Sequence, residues 1–207
     1  MSLTAQQLRV SLDHIAAIDP ALAIGLAASG YPEPRGRPRG SATMMRAIVG
    51  QQVSVKAASS IWDRLEIACG GDMDDHARVT ATPNEALRAA GLSGQKAVYV
   101  HALAEAVASG QLDFASLPAD DDEAIAALTA IKGIGRWSAE IYLLFAEGRP
   151  DVFPAGDLAV QIELGRILGL KSRPTEKLTR ELAEPWRPHR GALAVFLWHS
   201  YSAAAML

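Results

Sequence analysis

The stretch Ile131-Lys132-Gly133-Ile134-Gly135-Arg136-Trp137-Ser138-Ala139 constrains this chain more than any other. An apolar helical pattern precedes it, another follows it, and two glycines one residue apart form the joint. Glycine tolerates positive φ and carries no side chain, so the backbone turns sharply there and approaches another backbone closely. The turn delivers the chain to a helix start, whose first N–H groups lack internal partners and carry partial positive charge. The segment is therefore either a plain helix-turn-helix joint or an anion site, and a DNA phosphate is one anion that it suits.

The surroundings are helical. Residues 4–18 place Leu8, Leu12, Ile15 and Ile18 at helical spacing. Asp19-Pro20 starts a short helix to Ala28, and a basic loop follows at 29–40 with three prolines and Arg35, Arg37 and Arg39. Ser41–Val49 and Val55–Ala68 read as helices separated by Gly50-Gln51-Gln52-Val53, with Ser54 as the second cap. Residues 70–80 are polar and read as a loop. Thr82-Pro83-Asn84-Glu85 reads as a capping box. Ser93 opens a helix through Ala108, with Val100, Leu103, Ala104 and Val107 inward, and Asp120-Asp121-Asp122-Glu123 opens the helix that runs into Ile131. Further helices are expected at 138–145, 157–168, 174–183 and 189–207. No stretch alternates apolar and polar residues for long enough to make a strand, so the predicted class is all-α with about ten helices.

The totals exclude several functions. A chain of 207 residues with 49% hydrophobic content affords one domain or two small helical lobes. One cysteine, Cys69, excludes an internal disulfide and a cysteine-rich metal site, which fits a reducing compartment. No apolar run reaches the ~18 residues that span a bilayer, and the first residues lack a signal-peptide pattern. An intracellular location is expected, cytoplasmic at the bacterial nucleoid or nuclear, with no membrane partner. The histidines show no metal-ligand spacing, and P-loop, Rossmann and nucleophile-elbow motifs are absent. The net charge of −3 argues mildly against non-specific nucleic-acid binding but leaves room for a local basic face.

Four features could carry chemistry. Asp157 follows Phe153-Pro154-Ala155-Gly156 at a helix start; it is either an ordinary N-cap or a carboxylate beside a cleft. Trp137 and Trp198 are either core residues or a pair that stacks an aromatic, preferably cationic, ligand. The adjacent amides Gln51 and Gln52 break a helix, either as a simple loop or to probe a base stack. Ser93-Gly94-Gln95-Lys96 is a second helix start with a nearby cation, suited either to capping alone or to a phosphate.

Taken together, the hairpin at 131–139 followed by Asp157 resembles the signature of the helix-hairpin-helix DNA glycosylases. Within that superfamily the chain is similar to the 3-methyladenine DNA glycosylase II group. Residues 47–55 (Ala-Ile-Val-Gly-Gln-Gln-Val-Ser-Val), 151–157 (Asp-Val-Phe-Pro-Ala-Gly-Asp) and 186–198 (Trp-Arg-Pro-His-Arg-Gly-Ala-Leu-Ala-Val-Phe-Leu-Trp) match in order. The likeness covers roughly residues 40 to 202.

The resemblance implies two helical lobes with an active-site cleft between them. Residues 1–40 would pack with the C-terminal lobe, 41–150 would form a central lobe ending in the hairpin (129–139), and 151–207 would carry the catalytic residue. It implies Asp157 as the catalytic aspartate, Trp137, Trp198 and Gln51 in the base pocket, and Gln52 as the wedge that fills the gap left by a flipped nucleotide. DNA phosphates would be held at Gly133, Gly135, Arg136 and Lys132 and at Ser93, Gly94 and Lys96. The main-chain carbonyls of Thr129, Ile131 and Gly133 would hold a structural Na+ or K+ when DNA is bound, and no other cofactor is required. The implied partner is double-stranded DNA containing damaged bases, bound by a monomer, and the implied reaction is hydrolysis of the N-glycosidic bond of alkylated purines. The runner-up readings are a superfamily glycosylase for other damaged bases and a non-catalytic DNA-binding helical protein.

Several positions depart from the family pattern. Trp137 stands where strand-cleaving relatives carry a nucleophilic lysine, which implies base removal alone. Lys132 replaces the usual hairpin proline, and Gln52 replaces a leucine found in some members. Ile141 and Leu158 stand where some relatives have tyrosines, which implies an altered substrate range. No four-cysteine cluster is present, so the iron–sulfur branch is excluded. The N-terminal β-rich domain of some members is expected to be missing.

Overall fold

The structure, a computed structural model, describes residues 2–204. All regular structure among these residues is helical: twelve α-helices, one π turn and one 3-10 turn. The chain divides into two compact units, one built from residues up to Arg37 and from Leu143 onward, the other from Pro38–Tyr142. The expected crossing points were 40/41 and 150/151. The observed return falls inside a continuous helical run, where an α-helix gives way to a π turn at Leu143.

The Pro38–Tyr142 unit holds α3 (Ser41–Gly50), α4 (Val55–Ala68), α5 (His76–Ala81), α6 (Asn84–Ala89), α7 (Gly94–Ala108), α8 (Asp121–Thr129) and α9 (Arg136–Tyr142). Helix α7 is its axis and packs on α3, α5 and α6. Val100, Leu103 and Ala104 are fully buried there, and Ala106 is buried while Val107 is only half-buried. Each buried Val or Leu stabilises the fold by roughly 1.5–3 kcal/mol. On α3, Met44, Met45 and Ile48 are fully buried, and on α4 Trp62 and Leu65 are.

Two sequence expectations in this unit fail. Residues 70–80 are not all loop, because α5 forms from His76. Asp75 caps it by accepting from Arg78 N at 3.1 Å, and Val79 is fully buried. Ser41 Oγ pins the segment from the other side, with Asp74 Oδ1 at 2.8 Å and His76 Nε2 at 2.6 Å. The capping box at Thr82 is also absent. Thr82 ends α5 and its hydroxyl donates back to Arg78 O at 2.9 Å, so Pro83 becomes the N-cap of α6 without a side-chain bond.

The other unit holds α1 (Ala5–Ile18), α2 (Pro20–Ser29), the π turn Leu143–Glu147, α10 (Leu158–Ile167), α11 (Glu176–Leu182), a 3-10 turn (Glu184–Trp186) and α12 (Arg190–Ala204). Helix α12 is its centre and is buried on every side from Arg190 to Leu197. It packs on α10, α1 and α2. The expected terminal helix ran to Leu207, and residues 205–207 lie outside the described ones. Helix α1 buries Leu8, Leu12 and Ile15, while Ile18, in its last turn, is half exposed. Gly191 brings the chain before Asp151 onto α12: its N–H donates to Pro150 O at 2.7 Å, and a Cβ there would stand 2.6 Å from that oxygen.

Candidate active site

Asp157 is fixed as the N-cap of α10. Its Oδ1 accepts from Val160 N at 3.0 Å and from the indole Nε1–H of Trp198 on α12, also at 3.0 Å. The N-cap reading is therefore met, and the same oxygen also receives the Trp198 indole. The loop ahead of it is held rigidly. Ala155 N donates to Phe153 O, Asp157 N donates to Pro154 O, and the buried Gln161 side chain donates to Ala155 O at 2.8 Å. Trp198 is half-buried and lies 5.5 Å, centroid to centroid, from Phe145, which the π turn presents.

An ion cluster centred on the buried Arg190 anchors the start of the same segment. Arg190, 6% exposed, donates to both carboxylate oxygens of Asp151 at 2.9 Å and to Glu184 at 2.6 Å. Arg187 bridges the same two acids, at 2.6 Å to Asp151 and 2.9 Å to Glu184. The hydrogen bond from Arg187, with the nearby Arg190 charge, holds the Glu184 carboxyl below its ordinary value. These residues were not singled out from sequence, because an Arg and an Asp 39 positions apart carry no local signal.

In the Pro38–Tyr142 unit the hairpin forms as expected at Gly133 and Gly135. Gly133 has φ 97°, and a Cβ there would lie 2.2 Å from Cγ of Tyr99 on α7, so glycine is required by conformation and by space. A Cβ at Gly135 would meet nothing within 4 Å, leaving that stretch of backbone open to approach. Lys132 is exposed, and Trp137 is 42% exposed. Arg136, expected at a phosphate, pairs with the buried Glu140 at 3.0 Å and with Asp122 at 3.4 Å.

The helix break before α4 differs most from expectation. Lys96, expected at a phosphate, directs its Nζ to Val49 O at 2.8 Å and Gln51 O at 2.6 Å, and burial pushes its pKa down. Its position opposite the C-terminus of α3 explains the bonds, since helix ends leave carbonyls unpaired and favour a cation. Ser93 caps α7 by accepting from Lys96 N at 3.2 Å. Gln51, expected in the base pocket, donates through Nε2 to Gly133 O at 3.3 Å. Gln52 is exposed and adopts φ 55°, the one non-glycine residue with positive φ among those described.

The carbonyl set expected to hold a monovalent cation has the right chemistry. Main-chain oxygens suit hard cations. Ile131 O accepts one bond from Ile134 N and Gly133 O one from Gln51, and each carbonyl oxygen has a second lone pair. No group of His, Cys, Asp and Glu suited to a metal occurs among the described residues.

Comparison with known proteins gives the family. Residues 45–188 match the HhH-GPD superfamily of base excision DNA repair proteins, and the chain belongs to that family. It is 33% identical over 164 residues to DNA-3-methyladenine glycosylase 1 of Schizosaccharomyces pombe, covering 78% of this chain and 72% of that protein. A solved DNA-3-methyladenine glycosidase from Bacillus halodurans superposes with a TM-score of 0.84 at 34% identity, over 95% of this chain and 91% of that one. The S. pombe 3-methyladenine DNA glycosylase Mag1, solved in complex with abasic DNA, superposes with a TM-score of 0.80 at 29% identity, over 91% and 94% of the two chains.

Proposed function

We propose that this protein is a monofunctional DNA glycosylase that removes alkylated purines of the 3-methyladenine and 7-methylguanine type and leaves an abasic site. The observation that carries the reading is Asp157, a carboxylate held by Val160 N and the Trp198 indole in a chain of the HhH-GPD superfamily. Relatives named as 3-methyladenine glycosylases support the substrate class.

The bond to be cut is inaccessible inside a duplex, so the damaged nucleotide leaves the stack at a cost of a few kcal/mol. Hairpin amides at Gly133, Gly135 and Arg136, with Lys132, hold the backbone and read no sequence. A Na+ or K+ ion on the carbonyls of Thr129, Ile131 and Gly133 would add positive charge at that phosphate. This explains how a chain of net charge −3 binds DNA without a broad basic face. Gln52 fills the vacated space.

A base alkylated on a ring nitrogen is cationic and already a good leaving group, so no general acid is required. Trp137 and Trp198 favour the cation over a neutral base by roughly 0.5–2 kcal/mol each. As the bond breaks, the sugar gains positive charge, which Asp157 stabilises while orienting the attacking water. No lysine stands at Trp137 to form a covalent imine, so the strand stays intact.

The test is base release and abasic-site formation on methylated duplex DNA, wild type against Asp157→Asn. The wild type releases 3-methyladenine without cleaving the strand, and the variant loses excision by orders of magnitude while still binding DNA. Near-normal excision by the Asn variant would sink the assignment.

A further inference from the structure

The first two turns of α7 join two loops that the reading above places on DNA. Lys96 holds the chain at the helix break through two carbonyls, Val49 O and Gln51 O. Three residues later Tyr99 lies against Gly133, so closely that no side chain fits at that glycine. The two loops also touch each other directly, since Gln51 Nε2 donates to Gly133 O at 3.3 Å. Gln51 is thus held at both ends, its carbonyl by Lys96 and its amide by the hairpin.

The residue that follows has little freedom left. Gln52 sits at φ 55°, a conformation that costs a non-glycine residue of order 1 kcal/mol and persists only where the surroundings enforce it. It is exposed, so no packing of its own side chain enforces it. The pinned residue beside it supplies a constraint of that kind. An ammonium reaches two carbonyls at once because it is compact and carries three donors.

We propose that Lys96 is a positioning residue for the wedge: it acts through Gln51 to present Gln52 for insertion into the duplex, and it does not bind phosphate. The proposal rests on the glycosylase reading and refines how that enzyme gains access to a stacked base. Its consequence is selective. A positioned wedge matters where a base must be displaced from a duplex and not where the base is already unpaired.

The experiment compares single-turnover release of 3-methyladenine from a methylated duplex and from the same strand unpaired. The proteins are wild type, Lys96→Met, Lys96→Arg, Gln52→Gly and the Lys96→Met/Gln52→Gly double variant. Lys96→Met lowers the duplex rate about tenfold more than the single-strand rate, the scale of losing a charged hydrogen bond. Gln52→Gly, which adopts this φ freely and so keeps the fold, gives the same duplex-selective loss. The double variant is no worse than either single one, and Lys96→Arg recovers most of the duplex rate. The salt dependence of binding to undamaged duplex stays unchanged in Lys96→Met. Equal losses on both substrates, additive losses in the double variant, or a salt slope reduced by about one would each overturn the proposal. Absence of base release by the wild type from either substrate would instead remove the glycosylase reading.

Discussion

The indole Nε1–H of Trp198 donates to Oδ1 of Asp157 at 3.0 Å, across 41 positions of sequence. The same oxygen accepts from Val160 N, so the carboxylate is oriented by two donors on two different helices, α10 and α12. Trp198 therefore has a role beyond that of an aromatic surface. Trp198→Phe keeps a large ring and removes the donor. A hydrogen bond to a charged group contributes about 1.5–3 kcal/mol. Excision is expected to fall about 10–100-fold, measured as single-turnover base release, with DNA affinity retained.

On the proposed reading Asp157 combines a structural and a chemical task, and two substitutions separate them. Asparagine is as good an N-cap as aspartate and retains an oxygen for both donors. Asp157→Asn is expected to melt within a degree or two of wild type. Asp157→Ala orphans Val160 N and the Trp198 indole and is expected to cost about 1–2 kcal/mol. Both lose excision equally. Thermal melts paired with abasic-site assays test the separation.

The two hairpin glycines are predicted to behave differently. Gly133→Ala places a Cβ 2.2 Å from the Tyr99 ring at φ 97°, so the hairpin must shift and stability falls by several kcal/mol. Gly135→Ala meets nothing within 4 Å, so its melting temperature stays close to wild type while affinity for duplex DNA falls. Denaturant unfolding and a DNA-binding isotherm on the same two variants give the comparison.

Acid is expected to destabilise the protein in two stages. Burial, followed by the neighbouring His14, holds His189 below its ordinary value. Its neutral form therefore favours folding above the unfolded-state value of about 6.5, and that contribution is lost as pH falls through the folded value. Glu163 follows at lower pH. Burial opposes its ionisation, but hydrogen bonds from Arg166, at 2.9 and 2.6 Å, and from Ser200 outweigh it and hold the carboxyl low. Its contribution is present above the unfolded-state value of about 4.3 and disappears as pH falls through the folded one. Melting curves between pH 7 and pH 3 should show both declines. His189→Gln is expected to flatten the first, and Glu163→Gln the second.

How far the sequence reaches can be judged from particular residues. The helices α1, α4, α7 and α10 were legible because apolar spacing, joined in the last three by a Ser or Asp cap, is a local signal. The glycine hairpin and the capping place of Asp157 were legible for the same reason. Helix α5 was missed because a single buried valine and the distant Ser41 stabilise it against a polar composition. The partners of Lys96 were not legible, because a lysine at a helix start resembles a phosphate ligand until the carbonyls opposite it are known.

The sequence alone determined the all-helical class, the family-like hairpin and the capping place of Asp157, since each depends on residues within a few positions of one another. The tertiary structure decided what those residues are bound to. The Trp198 donor on Asp157, the Arg190–Asp151 pair and the Lys96 pin beneath Gln51 each join residues separated by 39 to 45 positions. Such partners are chosen by how helices pack, and packing depends on the shape of the whole buried surface of each unit. No local spacing along the chain encodes it.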